Sequence, residues 1–374
     1  MMIAKYKEKI MNKKIIAVAA VMAVFAAGAV NAAEVFSKNG NKLDFYGKVK
    51  GEHDFVTNGK KGNNDATYAR IGFRGETQIN DSLIGFGQWE YNLNASNAEG
   101  SQGEGKTRLA FAGLKMGDAG SIDYGRNYGV VYDIGSYADV LTEFGGDSYQ
   151  KSDNFMTGRS TGLLTYRNSG FFGLVNGLKF AVQYQGANQD SKTHTWDKSN
   201  GEGFGSSLQY TFGDSGVTVG GAYSHAKTTD AGDANGKYAK GDNAEAWTVG
   251  AKYDANSIYL ATTYAQTYNL TPFTAKTAQG EAKEFLDKTE NFEATAAYVF
   301  DFGLRPDVAY VQSQGHYNGV SVDVVKYVEL GATYYFNKNF AVDAGYKINL
   351  LGDTAKSLGI ATDDQAIVGA TYQF

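Results

Sequence analysis

From residue 42 to residue 374, apolar and polar side chains alternate in run after run, and this period of two is what most limits the folds open to the chain. In residues 42–55, Leu43, Phe45, Gly47, Val49 and Gly51 share one face, while Asp44, Tyr46, Lys48, Lys50, Glu52 and Asp54 share the other. Residues 66–79 repeat the pattern, with Ala69, Ile71, Phe73 and Ile79 opposite Arg70, Arg74, Glu76 and Gln78. Sixteen such runs can be read: 42–55, 66–79, 83–93, 106–115, 121–126, 158–168, 178–185, 203–212, 217–226, 246–253, 258–268, 291–300, 304–312, 324–336, 340–350 and 365–374. Composition agrees, because 47 glycines, 26 tyrosines and 22 phenylalanines against 2 prolines suit long strands and tight turns better than helices.

Short polar turns, such as residues 78–81, 213–216, 254–256 and 337–339, take turns with long loops rich in Gly, Asn, Asp and Lys. The pattern predicts an all-β chain: a 16-stranded antiparallel transmembrane β-barrel, with short turns at one end and long loops at the other. An even strand count lets the sheet close, so that no backbone group is left unpaired in lipid. A soluble sandwich would alternate as well, but it would bury its apolar face in a core. Here the polar faces carry arginines, acids and amides along the whole chain, as a wet lumen requires, and the apolar faces, Phe73 and Leu109 among them, are expected to meet lipid. Aromatics gather at strand ends, in Phe171 and Phe172, Tyr298 and Phe300, and Tyr334 to Phe336, as interfacial girdles do. The last strand, with Val368, Ala370, Tyr372 and Phe374 in alternation, is expected to pair with the first.

Residues 1–32 read as a cleaved signal peptide: Lys13 and Lys14 precede an apolar run from Ile15 to about Val30, and Val30-Asn31-Ala32 is a small-residue cleavage site. Met11 is favoured as the start, and residues 33–374 are read as one barrel domain. The leader takes five lysines and one glutamate with it, so the formal charge moves from -5 to -9 over the 342 residues that remain. A chain this acidic is a poor partner for nucleic acid. With no cysteine, it has neither disulfides nor thiolate metal sites.

Motifs that suggest chemistry do not gather into a site. Residues 100–107, Gly-Ser-Gln-Gly-Glu-Gly-Lys-Thr, fit the phosphate-loop pattern, yet residues 108–115 alternate as a strand where the motif needs a helix. Four histidines, His53, His194, His225 and His316, have no ligand spacing. No cofactor is expected. A β-barrel enzyme of the outer membrane is the weaker alternative, since no serine lies in a Gly-x-Ser-x-Gly elbow with plausible partners. A substrate-specific channel is the other, and would need an aromatic slide or a lysine cluster in the lumen.

A run of landmarks gives the chain a specific likeness. They include Gly-Asn-Lys-Leu-Asp-Phe-Tyr-Gly at 40–47, Thr-Tyr-Ala-Arg at 67–70, Gly-Gln-Trp-Glu-Tyr at 87–91 and Thr-Arg-Leu-Ala-Phe-Ala-Gly at 107–113. Others are Asp-Tyr-Gly-Arg-Asn-Tyr-Gly-Val-Val-Tyr-Asp at 123–133, Glu-Phe-Gly-Gly-Asp at 143–147, Thr-Tyr-Arg-Asn at 165–168, Phe-Asp-Phe-Gly-Leu-Arg-Pro at 300–306 and Thr-Tyr-Tyr-Phe-Asn-Lys-Asn at 333–339. On these the chain resembles, over residues 33–374, the trimeric general porins of enteric Gram-negative bacteria, the F and C type. The resemblance implies a homotrimeric, water-filled outer-membrane channel, set in outer-membrane lipid, for passive diffusion of ions and small hydrophilic solutes. It implies that the third loop, residues 127–157, folds into the barrel and carries the acids of a constriction, Asp139 and Glu143. The facing basic wall would be Arg70, Arg108 and Arg159, with Lys48 nearby; alternation independently turns these four to the polar face. It also implies a trimer latch, in which the second loop, residues 95–105, reaches a neighbouring subunit and Glu99 meets Arg126 there. One departure stands out: where the family usually carries proline before Glu-Phe-Gly-Gly-Asp, this chain has Thr142, which implies a less constrained loop tip.

Overall fold

A computed structural model describes residues 33–56, 64–101, 105–190, 192–229, 242–277 and 280–374. The expected leader, residues 1–32, lies outside the described residues. Each alternating run is extended, because only a pleated backbone sends successive side chains to opposite faces. The strands are β1 (Ala33–Lys38), β2 (Asn41–Val56), β3 (Asn64–Asp65), β4 (Tyr68–Asn80), β5 (Leu83–Asn94), β6 (Lys106–Lys115) and β7 (Ser121–Tyr128). There follow β8 (Arg159–Ser169), β9 (Leu178–Gln185), β10 (Gly203–Thr211), β11 (Val217–Lys227), β12 (Asn243–Ala255), β13 (Ile258–Tyr268), β14 (Pro272–Thr277) and β15 (Gly280–Phe285). The last five are β16 (Lys288–Tyr298), β17 (Leu304–Tyr317), β18 (Val320–Tyr335), β19 (Phe340–Asn349) and β20 (Gln365–Gln373).

Sixteen of these form one closed antiparallel barrel, in which each strand pairs with its successor and β20 returns to β2 from Lys48 opposite Gln373 to Val56 opposite Gln365. β1 takes the other end of the same edge of β2, from Ala33 opposite Phe45 to Lys38 opposite Asn41. β14 and β15 pair only with each other, as a hairpin within a long loop. β17 and β18 run further than their alternation suggested and meet at Asn318-Gly319, where both residues have positive φ (52° and 80°). Asn-Gly is the pair such a two-residue turn favours, so the signal was present in the sequence.

Polarity is inverted relative to a soluble protein. Val182, Leu208, Val249, Leu260 and Leu330 are exposed, while Gln183, Asn291, Glu293 and Glu329 are almost wholly buried. Among the described residues no helix is long and apolar enough to cross a membrane, and spanning falls to the strands. Aromatic clusters mark the rims, with Tyr298, Phe300 and Phe302 in contact at a short turn and Trp247 against Tyr264 toward the long loops. Phe73 is exposed as expected, but Leu109 is not: it is 6% exposed, beside the irregularity where Glu90 pairs with Leu109 and Tyr91 with Thr107, skipping Arg108.

The apolar core lies inside the barrel. Residues 129–158, between β7 and β8, turn inward, and Val131, Tyr149, Phe155 and Met156 pack on Leu163, Ala226, Ala244, Ala246, Ala265 and Leu270. A second cluster sets Ile134 and Tyr137 against Ala222, Ala261 and Tyr259. Each fully buried aliphatic side chain contributes about 1.5–3 kcal/mol to holding the loop there.

Candidate functional site

The loop enters the barrel because the wall makes room for it. A Cβ on Gly205 of β10 would stand 2.7 Å from Val130 Cγ2, on Gly220 of β11 2.5 Å from Ile134 Cδ1, and on Gly250 of β12 2.9 Å from Ile134 Cγ2. Real side chains at these positions would collide, so the glycines are a seat for Val130 and Ile134. Polar bonds complete the attachment. The Val130 N–H donates to Gln183 Oε1 at 3.0 Å, the Tyr259 hydroxyl donates to the Tyr137 carbonyl at 2.7 Å, and Arg167 pairs with Asp133 at 2.8 Å. On the far wall, Gln150 donates to Glu293 at 3.1 Å and Tyr327 to Asp147 at 2.9 Å.

This anchoring presents the two loop acids differently. Asp139 accepts from the Tyr132 hydroxyl at 2.6 Å and lies against Gly146, whose Cβ would come within 2.9 Å of Asp139 Oδ1. Burial raises its carboxyl above the usual range, with the Tyr132 hydroxyl and the charge of Arg159 pulling the other way. Glu143 receives both its oxygens' bonds from Lys50 of β2, at 2.8 Å, and Lys50 also meets Glu52 at 2.9 Å and Asp343 at 3.2 Å. Burial pushes the Glu143 carboxyl up to about 8, opposed by Lys50 and reinforced by Asp343.

Three arginines stand on alternate strands of the wall. Arg70 of β4 donates to Asn92 at 3.2 Å, Arg108 of β6 to Glu90 at 2.5 Å, and Arg159 of β8 to Ser152 at 2.8 Å. Glu90 also stands 3.9 Å from Arg70, so one wall carboxylate partly offsets two guanidinium groups. Arg159 and Asp139 line one cavity of about 500 Å³, together with Tyr128, Tyr132, Asp147 and Lys151. Among the described residues, no ion pair joins Asp139 or Glu143 to any of the three arginines. Asp139 and Arg159 thus border one open space.

The structure therefore gathers Asp139, Arg70, Arg108 and Arg159 around the lumen, and sets Glu143 on Lys50 rather than on Lys48. Lys48 lies over the Tyr68 ring, 5.3 Å from its centroid, and shares a lumen pocket with Lys50 and Thr142. Glu99 and Arg126 are not in contact within the chain: Glu99 opens an exposed 3-10 turn, and Arg126 holds Asp153 with both terminal nitrogens and the Thr107 carbonyl through Nε at 2.9 Å. The described part of the phosphate-loop-like stretch passes from that turn into β6, with no helix to receive a phosphate.

The family model for Gram-negative porins matches residues 38–374. The chain is a member of that family. The porin is 54% identical to outer membrane protein F of Serratia marcescens, an alignment that covers 97% of this chain and 100% of that protein. It is equally identical to the putative outer membrane porin protein NmpC of Escherichia coli, with the same coverage. The structure of Salmonella typhi OmpF in complex with daunomycin superposes with a TM-score of 0.83 at 51% identity, over 91% of this chain and 100% of that one. An anion-selective porin from Comamonas acidovorans, at 16% identity and a TM-score of 0.63, shares the fold. The porin thus forms a channel of the outer membrane through which small solutes and ions diffuse passively.

Several residues that shape this porin's lumen escaped the sequence reading. Lys50 was on the polar face by alternation, but nothing local marked it above Lys48. Glu90 was likewise visible only as a polar-face residue. The glycine seat had no signature, because only strand pairing sets Gly220 opposite Gly250 and Gly205 opposite Ser224 of the same middle strand.

Proposed function

We propose that this porin is a general diffusion channel in which Asp139 and Glu143 on the inserted loop face Arg70, Arg108 and Arg159 on the wall and set a transverse field across the narrowest section. The observation that carries it is the open cavity lined by both Asp139 and Arg159, while among the described residues no ion pair joins either loop acid to a wall arginine. Low-dielectric walls focus such a field. A dipolar solute aligns with it and passes, whereas an apolar solute must displace ordered water and gains no compensating contact. Lys48 and Lys50 extend the basic side toward the loop tip, where Lys50 is shared among three acids. Solutes are sorted by size, charge and polarity, and no reaction is catalysed.

The test is liposome swelling with zwitterions of increasing size. Replacing Arg70, Arg108 and Arg159 together by Ala should admit solutes the parent excludes; unchanged size limits would remove these arginines from the constriction. Export removes residues 1–32, so that Edman sequencing of outer-membrane material starts at Ala33. Assembly is as a homotrimer in outer-membrane lipid, with Glu99 reaching Arg126 of a neighbour as a second carboxylate beside Asp153. Unheated detergent extracts should show a high-mass band that boiling collapses, and Glu99→Ala should lower the temperature of that collapse.

A further inference from the structure

Thr142 precedes Glu143 and follows Asp139 by three residues, so an anchor at Thr142 acts on the stretch that carries both acids. Its N–H donates to Asp307 Oδ1 at 3.2 Å and its hydroxyl donates to Asp307 Oδ2 in a shorter contact, so that one carboxylate accepts both donors. The Asp307 side chain is fully buried and pairs with Arg305 at 3.1 Å. Arg305 in turn donates to the Val140 carbonyl at 2.9 Å. One strand, β17, therefore clasps the loop at two points, Val140 and Thr142.

The neighbouring strand leaves space for this clasp. Gly331 of β18 lies opposite Asp307, and a Cβ there would stand 2.8 Å from both Asp307 carboxylate oxygens and from Thr142 Cβ. A proline at position 142 would have neither hydroxyl nor N–H, and so could make neither bond. The tip of this loop is accordingly not less constrained for lacking proline. It is constrained differently, through bonds to a charged acceptor, which are the stronger kind.

We propose that Asp307, gripping Thr142, is the positioning residue that holds the constriction acids of this channel in place. The proposal rests on Asp139 and Glu143 being those acids. Without the clasp the loop tip visits other positions and interrupts the current.

The test is single-channel recording of the full porin in planar bilayers at fixed voltage, scoring brief closures, with the KCl-gradient reversal potential measured on the same channels. Thr142→Val keeps shape and N–H but loses the hydroxyl, and closures should become roughly tenfold more frequent. Thr142→Ser keeps both donors and should restore the parent frequency. Asp307→Asn should match Thr142→Val, and the double variant should be no noisier than the noisier single, because both cut one link. Far-UV circular dichroism reports whether each barrel has formed. Since Asp307→Asn also disturbs Arg305, the two Thr142 variants decide the matter. Parent-like closures in Thr142→Val, or equal noise in Thr142→Ser, would overturn the clasp. If Glu143→Gln leaves selectivity unchanged while Thr142→Val still raises closures, the reading of the acids fails and the clasp stands.

Discussion

Replacing Asp139 by Asn and Glu143 by Gln should turn the channel toward anions, by an amount that can be worked out. Neither acid touches an arginine, and with Glu143 replaced Lys50 is still held by Glu52 at 2.9 Å and Asp343 at 3.2 Å. The substitutions therefore remove charge and leave the walls standing. An ion passing about 7 Å from one carboxylate feels about 0.6 kcal/mol at the dielectric of water. The cation loses this and the anion gains it, so the preference moves by about 1.2 kcal/mol per acid before screening. With a Debye length of ~10 Å at 0.1 M salt, about half survives, which is roughly a threefold change per acid and eightfold for both. Low-dielectric walls make this a lower figure. The assay is the reversal potential in a KCl gradient at pH 9, above the value of about 8 to which burial lifts Glu143. An unchanged permeability ratio in the double variant would mean that the loop acids do not face the ion path.

The same carboxyls predict a pH dependence. A carboxyl with a raised pKa is neutral below it, so lowering pH from 9 to 6 should protonate Glu143 and weaken cation preference, and Glu143→Gln should flatten that step. Gly250→Leu should unseat Ile134, whose Cγ2 lies 2.9 Å from where the new Cβ would be, at a cost of about 1–3 kcal/mol; liposome swelling should then show larger sugars entering through a barrel of unchanged circular dichroism. Phe73→Lys puts a charge on the exposed outer face and costs roughly 2–4 kcal/mol if it lies at the bilayer midplane, read as a lower melting temperature of the folded band on gels.

Strand order, barrel closure and the outward face were legible because alternation has only one reading once one face must meet lipid. Val182, Leu208 and Val249 fall outside and Gln183 inside for the same reason that periodicity said they should. What local pattern could not supply was contact across the lumen. Lys50 finds Glu143 from 93 residues away, and Thr142 finds Asp307 from 165, distances over which sequence spacing carries no geometry. Leu109 shows the limit within a strand, since one irregular pairing was enough to bury a position that alternation had turned outward. The proline missing at position 142 was visible, but its consequence was not, because the compensating carboxylate lies on another strand.

The central claim is that the lumen is an open aqueous path and not a binding site that hands solutes across. Purified porin added to a planar bilayer should give stepwise current increments that are ohmic at low voltage and rise in proportion to bulk KCl conductivity. Increments that saturate as salt is raised would mark a site that binds its ions, and a bilayer that shows no steps would contradict the channel altogether.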